Sequence, residues 1–359
     1  MHESKRSWVV VEMRVLALET SCDETSAAVV RREGQRVVLE GLSVLSQDVH
    51  RIFGGVVPEL ASRAHLATIG PVVDLALSEA GVGLDAIEGI AVTRGPGLLG
   101  ALLVGVTWAK TVAWREQLPL IGVHHLEGHL FAPTLEADDL SPPFTALLVS
   151  GGHTLLLDVP AWGQYRLLGQ TRDDAVGEAF DKVGTLLGLD YPAGAALELL
   201  AATGHPTRFT FPRPLLKGVA EKDQFAFSFS GLKTALLRAV QQSSNLERDR
   251  ADLARGFQDA AIEVLVTKTA RAAERFDRSV VVLGGGVACN RALAAAMRRA
   301  VGSRTRVAVA SPRLNTDNAA MIGAAGSWRL EQGERHGLDL DARDLLPLPG
   351  LTAATGVTS

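Results

Sequence analysis

The sequence predicts a duplicated two-domain α/β protein, and three observations carry that prediction. First, the runs VLALETSCDETSAAVV (15–30) and TALLVSGGHTLLLDV (145–159) repeat one pattern: an apolar strand, a tight turn of small hydroxyls or glycines, and a second apolar strand. Second, strand, glycine turn and helix recur in that order after each hairpin. Third, the stretch DDLSPP (Asp138–Pro143) separates the two copies, and its consecutive prolines stop helices and push the residues before them into extended conformations.

Met13 is followed at once by the strand RVLALE, so residues 1–12 are expected to be an N-terminal extension and Met13 the start. After the first hairpin the spacing predicts a helix over Val57–Leu77 and a buried strand over Gly89–Thr93. The glycine-rich turn RGPGLLG (94–100) then leads into an apolar helix through Trp114. A strand-like run, LPLIGV, precedes the segment HHLEGH (124–129). Beyond the prolines, Asp173–Leu187 has helical spacing with Asp173 and Asp174 ahead of it as capping residues, and Leu246–Phe276 is a long helix with an apolar stripe. The run FSFSGLK (227–233) reads as a helix start capped by Ser230. A strand at Ser279–Leu283, the turn GGGVACN (284–290) and an Ala-rich helix to Ala300 follow. The strand RVAVA, the loop SPRLNTDN and the small-residue helix AAMIGAAG close the core. Residues 348–359 carry no core pattern and are expected to fray.

Composition narrows the function. With 47% hydrophobic and 21% charged residues the chain has the make-up of a folded globular protein rather than a disordered one. A net charge of −4 supplies no global attraction to nucleic acid, and 5% aromatics leave few stacking platforms, so an RNA substrate would need a local basic patch or a helper protein. Two cysteines, Cys22 and Cys289, fit a reducing cytosol and provide neither a disulfide framework nor a zinc ribbon. No signal-peptide core and no membrane span is present, and the expected location is cytoplasmic.

The chemistry concentrates in a few places. His125 and His129 stand four residues apart, so on a helix they share a face and could grip one metal ion; the alternative is a pair of solvated or capping histidines. Asp317 is either a helix N-cap or a third, oxygen ligand that completes a two-His, one-carboxylate set. Glu127 does not make this a zinc-protease motif. In H-E-x-x-H the Glu follows the first His directly, whereas here it is turned about 100° further around the helix. The turn SGGHT (150–154) reads as a phosphate cradle, its glycines admitting positive φ, or as a plain glycine hairpin. Gly284–Gly286 follows a strand and opens a helix, a place for a nucleotide, but lacks the spacing of a dinucleotide fingerprint. Asn290 could contact a base or ribose, or cap its helix; Asp181 could accept a hydrogen bond from a ribose or an amino-acid moiety, and Lys182 pairs with Glu178.

Taken together these residues resemble one family, the universal tRNA threonylcarbamoyladenosine transferases of the bacterial TsaD type, formerly labelled sialoglycoprotein endopeptidases. The resemblance covers about residues 13–347 and rests on the ordered blocks LALETSCDETSAAVV, SQDVHRIFGGVVPELASRAHL, TRGPGLLGALLVG, GVHHLEGHLFAP, LLVSGGHT, DDAVGEAFDKVGTLLGLDYPAG, FSFSGLKTAL, GGGVACNRAL and SPRLNTDNAAMIG. It implies an actin-like ATPase (ASKHA, ribonuclease H-like) fold of two duplicated lobes, with a nucleotide cleft between them. The first lobe would span 13–140 with a C-terminal helix at 318–335 completing it, and the second 141–317. It further implies metal-dependent acyl transfer. The threonylcarbamoyl group of threonylcarbamoyl-AMP passes to the N6 amine of the adenosine 3′ of the anticodon (position 37), in tRNAs reading codons that begin with A, with release of AMP. By position in the shared motifs, His125, His129 and Asp317 correspond to metal ligands for Fe2+, with Zn2+ the alternative. Leu148, Val149, Ser150, Gly151 and Gly152, with Asp181, Gly194, Glu198 and Asn290, correspond to the site of the adenine nucleotide or threonylcarbamoyl-AMP. Relatives of this kind work with a paralogous actin-like subunit (TsaB type), a small ATPase (TsaE type) and an upstream threonylcarbamoyl-AMP synthase. Two positions depart from the family pattern. Ala193 stands where a glycine is usual, which would cost about 1 kcal/mol if that residue needed positive φ, and Cys289 replaces another small residue.

Overall fold

The computed structural model describes residues 12–353. The expected extension at residues 1–12 and the chain beyond 353 therefore lie almost wholly outside the described residues. By internal contacts the chain divides into two compact units, one of Met1–Gln47, Pro58–Asp139 and Asn318–Leu346, the other of Asp48–Val57, Leu140–Asp317 and Pro347–Ser359.

In the first unit, β1 (Glu12–Glu19), β2 (Glu24–Glu33) and β3 (Arg36–Ser46) form an antiparallel meander. Helix α1 (Pro58–Ala80) leads to β4 (Gly89–Gly95), helix α2 (Leu99–Glu116) to β5 (Leu120–His124), and β5 runs straight into α3 (His125–Phe131). The sheet order is β3-β2-β1-β4-β5, with β1, β4 and β5 parallel. Leu16, Leu18, Ile90 and Val92 point into a core closed by Val72, Val73, Leu102 and Val106 of α1 and α2. These strands read as near-continuous apolar runs because both faces are covered.

The second unit repeats the plan. Strands β6 (Phe144–Val149), β7 (Thr154–Ala161) and β8 (Gln164–Gln170) form the meander. Helices α4 (Val176–Leu186), α5 (Gly194–Ala202), α6 (Ser230–Gln242) and α7 (Leu246–Arg275) precede β9 (Val280–Gly284). Then come α8 (Arg291–Val301), β10 (Arg306–Val309) and α9 (Pro312–Asn315). The order β10-β9-β6-β7-β8 matches the first sheet strand for strand, with β6, β9 and β10 parallel. Helix α10 (Ala319–Glu331) returns the chain to the first unit. Strand β11 (Leu351–Ala353) pairs in parallel with β8, so the expectation of a frayed end from 348 fails over these residues: backbone hydrogen bonding to an open sheet edge needs no apolar pattern.

Three capping expectations are corrected. Helix α4 starts after Ala175 without a side-chain cap, and Val176 N–H donates to Thr154 Oγ1 at 2.9 Å. Asp173 instead serves α6, accepting from Phe229 N at 2.7 Å, Ser230 N at 3.2 Å and Ser228 Oγ at 2.5 Å, so Ser230 is the first helical residue and not the cap. Asp174 pairs with Lys233 at 2.5 Å and Lys182 at 3.5 Å, and these charges together hold its carboxyl below the ordinary range against the opposing effect of burial. The Lys182 and Glu178 pair forms as expected, at 2.6 Å.

Candidate metal centre

The parallel strands β1, β4 and β5 end side by side, and their carboxyl ends carry the polar groups of the site, the usual place for a ligand in an open α/β sheet. Glu19 closes β1, Thr93 lies next to a register break in β4, and His124 closes β5. His124 then caps α3: its Nδ1 accepts from Leu126 N at 3.1 Å while Nε2 donates to Leu346 O at 2.9 Å. Both of its nitrogens are thereby committed, and the next residue on the helix, His125, faces the site.

Helix α3 is buried along its whole length. A Cβ added at Gly128 would lie 2.9 Å from Ile322 Cδ1 and 3.0 Å from Met321 Cγ, so glycine lets α3 press against α10. That helix is started by Asn318, whose side chain accepts from Met321 N at 3.2 Å, while Ala319 N donates to Ser26 Oγ at 2.9 Å. The N-cap is therefore Asn318, and Asp317 is carried one residue ahead of it. The ligand atoms of His125, His129 and Asp317 all lie within 4.8 Å of one another, the histidines buried and the aspartate half-buried. The two imidazole rings meet edge to face, with centroids 4.8 Å apart. Two imidazole nitrogens and one carboxylate at this separation suit a divalent transition-metal ion. His125 Nδ1 lies 3.2 Å from Glu19 Oε2 and 3.2 Å from Ser21 Oγ.

Glu127 has no part in this donor set. It is fully buried and paired through both oxygens with Arg329 of α10, at 2.6 and 2.7 Å. Burial opposes the Arg329 charge, but the Glu127 and Glu334 pairings outweigh it and hold the guanidinium above its ordinary pKa. A peptidase base at this helix position is thereby excluded, since both carboxylate oxygens are spent on the arginine.

The residues matched to a nucleotide site all belong to the second unit, around the carboxyl ends of β6 and β9. Leu148 and Val149 end β6. The turn after them closes through Ser150 N to His153 O at 2.9 Å and His153 N to Ser150 Oγ at 3.1 Å. Gly151 and Gly152 do not use the positive φ that glycine admits; Gly285 does, at φ +91°, where a Cβ would stand 2.4 Å from Val149 O. Gly177, in the first turn of α4, approaches Ser150 as closely, since a Cβ there would lie 2.5 Å from Ser150 O. Gly151 and Gly152 are exposed, and a Cβ on either would meet no protein atom within 4 Å. Asp181 accepts from Ala193 N at 2.9 Å; burial pushes its carboxyl above the usual range, partly offset by the N–H groups of Ala193 and Gly194. Glu198 accepts from Arg291 N at 2.7 Å, and Asn290 caps α8 through Leu293 N at 3.0 Å while donating to Gln258 at 2.9 Å. Ala193 has φ −91°, so the anticipated strain at this departure from the family pattern is absent.

A family model described as TsaD, tRNA N6-adenosine threonylcarbamoyltransferase, matches residues 39–324. The chain belongs to that family. Proteins of the same description from Gemmatimonas aurantiaca and Syntrophotalea carbinolica are 60% and 54% identical to it. Each alignment covers 94% of this chain, and they cover 98% and 97% of the relatives. Among solved structures, HypF of T. kodakarensis superposes with a TM-score of 0.60 at 14% identity, over 91% of this chain and 50% of that one. The (R)-2-hydroxyglutaryl-CoA dehydratase component A of Acidaminococcus fermentans does so with 0.53 at 14%, over 90% and 100%. At these identities the likeness concerns the fold alone, the duplicated α/β architecture of the actin-like ATPases. As a member of the TsaD family with a His/His/Asp set able to hold a divalent ion, the chain is a metal-dependent transferase. No helix among the described residues is long and apolar enough to cross a membrane.

Reading the sequence alone missed Glu19, Thr93 and Ser21 as members of the site. The available signal was an acid at the end of a buried apolar strand, followed by two hydroxyl residues.

Proposed function

We propose that this chain transfers the threonylcarbamoyl group from threonylcarbamoyl-AMP to the N6 amine of adenosine 37 in tRNAs reading codons that begin with A. The observation that carries the reading is the convergence of His125, His129 and Asp317 in a chain of the TsaD family. The donor is already an activated mixed anhydride, so no serine or cysteine nucleophile is required. The amine attacks the carbamoyl carbon, the bond from that carbon to the phosphate oxygen breaks, AMP departs with the electron pair, and the amine gives up a proton. Orientation and stabilisation of charge on the acyl and phosphate oxygens are what the protein must supply.

His125, His129 and Asp317 would hold one divalent ion, Fe2+ in our reading with Zn2+ the alternative, because two imidazoles and a carboxylate form a ligand set with open positions. When bound, the ion supplies Lewis-acid polarisation of an acyl or phosphoryl oxygen. The turn of Ser150–Thr154 would receive the phosphate region through the backbone N–H groups of Gly151 and Gly152, since that of Ser150 is already bonded to His153 O. Asp181, Gly194, Glu198 and Asn290, with Leu148 and Val149, line the rest of the adenylate site in this reading. The carboxylates of Asp181 and Glu198 and the Asn290 amide brace the segments around it.

The net charge of −4 favours shared tRNA binding, and the proposed partners are a TsaB-type actin-like subunit, a TsaE-type small ATPase and, upstream, a threonylcarbamoyl-AMP synthase. The proposed location is the cytoplasm. The test is transfer of labelled threonine from fresh threonylcarbamoyl-AMP to an A-codon-reading tRNA, with parent and Asp317→Ala proteins, each with and without those partners. Label on tRNA with the parent and none with the variant is the expected result. No label under any condition, with nucleotide still bound, would mark a non-catalytic nucleotide-binding subunit instead.

A further inference from the structure

We propose that Glu19 is the positioning residue of the metal centre: its carboxylate fixes the His125 ring in the form protonated at Nδ1 and so presents Nε2 to the ion. The inference rests on the reading of His125, His129 and Asp317 as metal ligands, and deepens it.

Glu19 is 1% exposed, and its carboxylate meets groups from three segments of the first unit. Oε1 accepts from Ser21 N at 2.5 Å, Oε2 accepts from Thr93 Oγ1 at 2.6 Å, and Oε2 lies 3.2 Å from His125 Nδ1. Ser21 N and Thr93 Oγ1 both point their hydrogens at this carboxylate, and in the proposed arrangement Nδ1 is the third donor to it. A neutral imidazole protonated at Nδ1 keeps its lone pair on Nε2. The Ser21 hydroxyl, 3.2 Å from the same nitrogen, can share that proton as a second acceptor.

The neighbouring histidine shows the opposite setting. His124 Nε2 donates to the Leu346 carbonyl and Nδ1 accepts from Leu126 N, so this ring is protonated at Nε2 and has no lone pair to offer outward. Two adjacent histidines are thus placed in different tautomers by their partners alone. The arrangement follows from the sheet. Glu19 ends β1, Thr93 lies near the end of β4 and His125 stands just past β5, three adjacent parallel strands whose carboxyl ends bring an acid, a hydroxyl and an imidazole together. A carboxylate that receives the non-ligating N–H of a metal-binding histidine orients the ring and raises its basicity, and losing it typically weakens metal binding about 10–100-fold.

Glu19 also braces the turn at Ser21, so the test must separate positioning from structure. Glu19→Gln keeps the size but carries one acceptor oxygen in place of two. The expected result is Zn2+ affinity, measured by competition with a chelator, about 10–100-fold below the parent, with the melting temperature of the metal-free protein close to that of the parent. Nitrogen-15 NMR of metal-free protein reads the tautomer directly: His125 protonated at Nδ1 in the parent, and a shift toward Nε2 in Glu19→Gln. A parent ring protonated at Nε2 overturns the proposal. So does a Glu19→Gln protein that binds Zn2+ as the parent does while His125→Ala does not. Retention of Zn2+ by His125→Ala would instead bring down the metal-centre reading itself. Should Glu19→Gln fail to fold, Thr93→Val decides, since it keeps the carboxylate and removes one donor that holds it. A smaller loss of Zn2+ affinity is expected there, and parent affinity overturns the inference.

Discussion

The turn that follows β1 and the turn that follows β6 occupy the same place in two copies of one strand pattern, and in both a glycine presses on a serine carbonyl, Gly97 on Ser21 and Gly177 on Ser150, yet the rest of each turn differs. The first is gripped from all sides by its own unit. Thr20 Oγ1 donates to Ala101 O at 3.0 Å, Leu98 N donates to Ser21 O at 2.8 Å, and a Cβ added at Gly97 would lie 2.6 Å from that same Ser21 oxygen. The second presents two exposed glycines whose added Cβ atoms would meet nothing. Duplication therefore supplied one scaffold twice, and the side chains in the turn decided its use. In the proposed reading one copy uses the turn to brace a histidine of the metal centre, and the other offers backbone to a ligand.

The largest effect that bears on this contrast is expected at the metal centre. His129→Ala should lose divalent-ion retention and threonylcarbamoyl transfer together, as read by elemental analysis and by the labelled-threonine assay. Full ion retention in that variant would remove the functional half of the comparison.

Next come two ion pairs whose carboxylates are fully buried, one taken from each unit. Glu127 and Arg329 in the first unit and Asp158 and Arg278 in the second are both bidentate, and both carboxylates are fully buried. Arg329→Met strands a carboxylate without its bidentate partner and should cost about 3–5 kcal/mol in urea unfolding. Arg278→Met should cost less, because Arg166 stands 3.5 Å from Asp158 and the Arg278 side chain is more exposed. Equal losses would mean that the second cation contributes nothing.

A smaller and more direct test compares the turns. Gly97→Ala forces a methyl against backbone and should destabilise by about 1–3 kcal/mol. Gly151→Ala should leave stability within about 0.5 kcal/mol while weakening the binding of an adenine nucleotide, measured by calorimetry. Unchanged nucleotide binding would count against the phosphate cradle.

The smallest effect belongs to Ala193. Its φ of −91° is ordinary for alanine, and its Cβ fills the space beside Gly184. Ala193→Gly, the change toward the family pattern, should therefore destabilise by about 0.4–1 kcal/mol through greater freedom of the unfolded chain.

Local signals were read well and long-range ones were not. Both hairpins, the helices at α1, α2 and α7 and the glycine turns follow from periodicity and turn chemistry, which act over a few residues. Strands β3 and β8 were not recognised, because partial exposure and interspersed charge break both the alternation and the apolar run. Asp173 looked like the cap of the nearest helix, yet it serves one that begins more than fifty residues later. Burial and chain closure, not sequence distance, choose its partner.

The sequence by itself determined the family, the duplicated α/β class and the placement of His125 and His129 on one helix face, since motif order and a four-residue spacing need no fold to be read. Only the tertiary structure decided that Asn318 rather than Asp317 caps α10, and that Gly285 rather than Gly151 carries the positive φ. It alone committed Glu127 to an arginine and set Glu19 against His125. Each of these depends on which groups parallel strands and packed helices bring within about 3 Å, the range over which hydrogen bonds and steric contacts act. Residues seventy or two hundred positions apart meet at that range only once the sheet has formed.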